Sequence, residues 1–153
     1  MTAELGEKVL NAAALLDRWA RSRRILLLIN GGALAMVGVA QVILELLSYY
    51  AGVGIYGPLF HNSPYVVGWV EAHGLAALIG ILFLAVAASD RGPRWHLVAL
   101  CVHLLLATAN ILFWSGFRAF GMVGAGIVAT TSHLLLVTAH LIAIASVGRK
   151  GAR

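Results

Sequence analysis

Charge is scarce in this chain. Charged residues make up 11% of the 153 positions, and hydrophobic residues make up 61%. A soluble domain is normally near half apolar and about a quarter charged, so the solvent for most of this chain is read as lipid. Cysteine is nearly missing. The single Cys101 excludes an internal disulfide framework and a cysteine-built zinc or iron–sulfur site. No CxxCH is present, which excludes a c-type haem. Neither an HExxH, a phosphate-binding glycine loop nor a dinucleotide fingerprint occurs. The net charge of +5 is not carried on a basic face interleaved with aromatics, so no nucleic acid is expected as a partner.

Long apolar runs are abundant. Four stand out, at about 25–50, 65–88, 95–114 and 122–147. Each reaches the roughly 20 helical residues that cross the hydrocarbon. Backbone groups in lipid must bond within their own segment, so the runs are read as helices. The three prolines, Pro58, Pro64 and Pro93, all fall outside them. Short turns at 89–94 and 115–121 make consecutive spans antiparallel neighbours. The expected fold is all-α: one domain over 1–153, an antiparallel four-helix membrane bundle in the lipid bilayer. Gly31, Gly32, Gly38, Gly121, Gly124 and Gly126 would let its helices pack closely, and small-residue faces would also allow a homo-oligomer or a place in a larger membrane complex.

Orientation follows from the basic residues. Lys8, Arg18, Arg21, Arg23 and Arg24 precede the first span. Arg91 and Arg94 separate the second and third, and Arg149, Lys150 and Arg153 follow the fourth. Only Arg118 falls on the opposite side, so both termini are predicted to be cytoplasmic in a multi-pass protein of the cell membrane. Residues 1–24 are polar and mixed in charge, unlike a cleaved secretory signal. Leu5, Val9, Ala13, Leu16 and Ala20 recur at helical spacing, which predicts an amphipathic helix lying on the cytoplasmic surface. The 51–64 loop, with its aromatics, is expected to cap the outer mouth, with Phe60 and His61 as a lid.

The chemistry lies in the polar residues inside the oily runs. HLVALCVH in the third span and SHLLLVTAH in the fourth each place two histidines seven apart. Seven residues are about two turns, so each pair shares one helix face. Residues at equal depth in an antiparallel hairpin have numbers with a constant total. The total is 236 for His103 with His133 and again for His96 with His140. Two stacked histidine layers are therefore expected. The same rule sets His73 level with Asn110, and Glu45 within one residue of Glu71. Gln41, Glu45, Glu71, His73 and Asn110 would line a polar cavity opening outward. An acid at the centre of a span costs about 2.5–3.5 kcal/mol, so such groups are expected to pair, to share a proton or to hold a cation.

Each motif also has a plain structural reading. Neutral histidine pairs can bond one helix to another, glycines can serve packing alone, and the two acids can reach toward headgroups. Three functional classes stay open. One is binding of a small cation or protons at the His/Glu site, for transport, sensing or accessory electron transfer. A transition-metal ion on His103, His133, His96 and His140 belongs to this class. The second is a haem b carrier or membrane anchor, which a tight hairpin disfavours because two ligands of one haem must flank the macrocycle. The third is a membrane-embedded acid–base enzyme acting on a lipophilic substrate through Glu45 or Glu71 with His73.

Overall fold

The computed structural model describes residues 2–89 and 93–148, so Arg91, Arg149, Lys150 and Arg153 of the orientation argument lie outside the described residues. Among the described residues six helices follow in order: α1 (Thr2–Ala51), α2 (Gly57–Phe60), α3 (Val66–Val86), α4 (Arg94–Leu112), α5 (Trp114–Ala119) and α6 (Val123–Gly148). Four of them contain stretches long and apolar enough to cross a membrane, at Leu16–Ala51, Val66–Val86, Arg94–Leu112 and Val123–Val147. The burial pattern is inverted relative to a protein that folds in water. Met36 and Leu105 are each 70% exposed, whereas Asn30, Glu45, His96, His103 and His140 are fully buried. Only an apolar solvent makes that distribution favourable, and the chain is a multi-pass membrane protein.

α1 is one unbroken helix of 50 residues, about 75 Å long at 1.5 Å per residue. The expected surface helix over 1–24 is not a separate element. No glycine or proline lies between Gly6 and Gly31, and the alanine-, leucine- and arginine-rich sequence between them favours continuous helix. The first turns therefore continue the spanning helix.

α1 packs along α3, and α4 packs along α6. The first pair is held backbone to backbone. A Cβ on Gly38 would lie 2.6 Å from the His73 carbonyl oxygen, and one on Gly80 would fall on the backbone of Ala35 and Gly31. Gly31 and Gly38 thus serve the close packing expected of them, together with Gly80. Gly32 and Gly124 meet nothing, and Gly126 meets the Phe117 ring. The α3 and α4 backbones are not in such close contact, although the two helices are consecutive in the chain. Side chains fill that seam: Phe83 of α3 and Ala87 just after it cluster with Leu27 of α1 and Ala99 of α4, with Trp95 packed against them.

The end of the bundle opposite the chain termini is plugged by the 51–64 connection. Tyr56 and Phe60 are buried there with Val66, against Leu44, Tyr49, Trp69, Val70 and Met122. Phe60 belongs to this plug. His61 does not, being exposed with Nδ1 3.2 Å from the Tyr49 carbonyl oxygen.

Candidate functional site

The buried face of α4 is His96, Ala99, Leu100, His103 and Ala107, spaced by threes and fours. The alanines beside the histidines leave room for rings from α6. His103 lies nine residues from each end of α4, at mid-span. Its Nδ1 is 3.0 Å from Nδ1 of His133. Two turns nearer the terminal end, His96 Nδ1 is 3.0 Å from Nδ1 of His140. These are the two layers set by the matched spacing. The layers also touch each other, since the His103 and His140 rings stack at 6.0 Å with 10° between their planes.

The residue joining the layers comes from α1. Asn30 is fully buried. Its Nδ2 is 2.9 Å from His140 Nε2, and its Oδ1 is 3.0 Å from His103 Nε2. With the amide this way round and the rings neutral, one set of tautomers satisfies all four contacts. Asn30 Nδ2–H donates to His140 Nε2, so His140 carries its proton on Nδ1 and donates it to His96 Nδ1. Asn30 Oδ1 accepts from His103 Nε2–H, so His103 Nδ1 is bare and accepts from His133 Nδ1–H. Every donor points the same way, from His133 to His96. Turning the amide end for end reverses all four.

The polar column continues in both directions. Toward the terminal end, buried Arg23 lies seven residues before Asn30 on α1, and its Nη1 donates to Ser146 Oγ at 3.2 Å. Toward the plugged end, His73 Nδ1 of α3 is 2.5 Å from Glu45 Oε1 of α1. Either the imidazole or the carboxyl can own the proton between them. Glu45 Oε2 is buried and has no partner among the described residues, and the same holds for Thr130 Oγ1, one turn beyond His133 on α6. Gln41 Oε1 accepts the Tyr56 hydroxyl proton at 3.1 Å, tying the plug to the column.

Two expected members sit elsewhere. Glu71 is exposed and does not approach Glu45. His73, Ala77 and Gly80 form the face of α3 that meets α1, and a residue two before His73 points away from it. Asn110 does not pair with His73. It lines a cavity of about 300 Å³ bounded by Trp69, Phe113, Phe117, Phe120 and Met122. Trp69 stands between that cavity and the site, its ring 6.1 Å from the His73 ring.

No family model, curated protein or solved structure matches this chain. The functional argument therefore rests on the geometry. Among the described residues, no group of three or more His, Cys, Asp or Glu side chains is placed to hold a metal ion. The rings of each histidine pair bond directly to one another, which leaves no space for a haem plane between them.

Proposed function

We propose that this protein binds protons within the membrane, on a column of paired imidazoles and a carboxylate built into a single four-span domain. The observation that carries the reading is the chain His133–His103–Asn30–His140–His96, in which each link is 2.9 or 3.0 Å. A proton added to either pair is shared between two nitrogens already at hydrogen-bond distance, and charge-assisted bonds of this kind are about twice as strong as neutral ones. A metal ion needs three or four convergent protein ligands, whereas a proton needs two. Glu45 with His73 forms a third centre nearer the plugged end. Uptake and release at these centres would serve proton-coupled transport or sensing. In the same reading both termini face the cytoplasm, as the basic residues direct. Exposed Glu71, five residues into α3, reaches the headgroup level or a neighbouring subunit.

The test is a proton count. Purified protein in nanodiscs is acidified in the presence of an indicator dye, and uptake is compared with that of a His103→Leu/His133→Leu variant and a variant lacking all four column histidines. Uptake should fall stepwise. Identical uptake by all three proteins would refute the reading.

One observation favours a second reading, a lipophilic ligand or substrate. The cavity behind Trp69 is apolar apart from Asn110, and Trp69 separates it from His73 and Glu45. A molecule entering from the lipid would lie one aromatic ring away from an acid–base pair. Saturable quenching of tryptophan fluorescence by a lipid-soluble aromatic probe, lost on Ala109→Phe, would support it.

A further inference from the structure

The two proposed histidine sites form a continuous hydrogen-bonded line, but one link differs chemically from the rest. We infer that Asn30 is a proton break, which fastens the two histidine pairs together while preventing a proton from crossing between them. The inference rests on the proton-binding reading above and specifies how that site is controlled.

A stepwise transfer shows why. A proton arriving at His133 Nε2 makes that ring an imidazolium. The ring passes its Nδ1 proton across 3.0 Å to His103 Nδ1 and returns to neutral, now with its proton on Nε2. His103 is then the imidazolium, with N–H groups on both nitrogens, and its Nε2–H faces Asn30 Oδ1 at 3.0 Å. An imidazole in Asn30's place would accept this proton on one nitrogen and release another from its second. An amide oxygen is a far weaker base than imidazole. Passing the charge on would require protonating Oδ1 and stripping a proton from Nδ2, leaving an imidic acid in place of the amide. The charge therefore stops at His103.

A charge entering at the opposite end meets the same obstacle. It enters when the amide is turned end for end, and once on His140 it stops there, because the Nε2–H of that ring then donates to the amide oxygen across the 2.9 Å gap and the oxygen is too weak a base to take the proton. Rotating the amide reverses the donors without carrying a proton. Each pair thus exchanges protons with its own end of the bundle. A membrane protein with titratable groups over much of its depth would otherwise short-circuit the proton gradient.

The experiment measures proton entry into sealed phosphatidylcholine vesicles that trap a pH dye, with a potassium gradient and valinomycin setting the voltage. Vesicles carrying the wild-type protein should be as tight as vesicles without protein. Asn30→Asp has almost the same shape but can both accept and donate a proton, and should admit protons about tenfold faster or more. Adding His103→Leu to Asn30→Asp should restore tightness. Asn30→His is read in parallel, in case Asn30→Asp fails to reconstitute. A purely structural asparagine would not produce faster entry on substitution. Wild-type vesicles as leaky as the variants, or both variants as tight as wild type, would overturn the break. The nanodisc proton count on wild-type protein separates the two ideas: normal uptake beside a failed leak test rejects only the break, and absent uptake rejects the reading beneath it.

Discussion

The side-chain nitrogen of Asn30 lies 2.9 Å from Nε2 of His140, a residue 110 positions further along the chain. With the 3.0 Å contact from its oxygen to His103, this one uncharged side chain ties α1 to both α4 and α6. Asn30→Leu removes both bonds and leaves two ring nitrogens buried without partners. Unsatisfied buried groups cost about 1–3 kcal/mol each, although interhelical bonds in membranes average about 0.6 kcal/mol. Asn30 is fully buried, so the larger figure should govern, with a total loss of about 2 kcal/mol or more. Reversible unfolding in mixed micelles measures it. A loss below about 0.5 kcal/mol would mean that the bundle repacks around the leucine.

The histidine layers were legible in the sequence because a straight helix rises by a constant amount per residue. Equal spacing on two antiparallel helices then forces equal depth, and a short turn fixes the partner. Asn30 was not legible by that route. No short turn links α1 to α6, so nothing in the numbering sets position 30 beside position 140. Its uncharged amide also gave no warning of cost. The available signal was its place seven residues after Arg23, on the stripe that continues to Gly38, Gln41 and Glu45. Glu71 shows the complementary failure. Equal depth with Glu45 was a sound expectation, but depth does not determine which way a side chain faces. The backbone contact of Gly38 with the carbonyl of residue 73 decides that, and it turns His73 inward and Glu71 out.

That contact leads to a packing prediction. Gly80→Leu places a side chain into the backbone of α1, where Gly31 and Ala35 cannot retreat without opening the helix pair. Overpacking of this kind typically costs about 1–3 kcal/mol. Gly74→Leu on the same helix meets open space. It should change stability by less than about 0.5 kcal/mol. Equal effects from the two substitutions would show that α1 and α3 are not in backbone contact.

The orientation can be read by cysteine labelling. With Cys101 replaced by alanine, a cysteine at position 118 in α5 and one at position 89 after α3 lie at opposite ends of the bundle. In intact cells a membrane-impermeant maleimide should modify Arg118→Cys and spare Ser89→Cys, as expected if the basic ends are cytoplasmic. The reverse pattern would place the termini outside.

Glu45 and Glu71 give the sharpest contrast. Glu45 is fully buried against His73, whereas Glu71 is exposed on the far face of the same helix pair. Glu45→Gln keeps the shape but cannot exchange a proton with the imidazole, so it should remove one centre from the nanodisc proton count. Glu45→Leu goes further, leaving His73 Nδ1 without its partner, at a cost of about 1–3 kcal/mol. Glu71→Gln touches neither bond and should leave stability unchanged, with any effect on self-association seen by crosslinking. The double variant Glu45→Leu/His73→Leu decides whether the pair serves stability or chemistry. Two apolar side chains of suitable size can replace a buried polar pair with little loss, or even a gain, in stability. The variant should therefore fold at least as well as Glu45→Leu alone while lacking the proton that the pair holds. If it instead unfolds further and titrates as wild type does, the Glu45–His73 contact is structural, and the column's chemistry resides in the histidine layers alone.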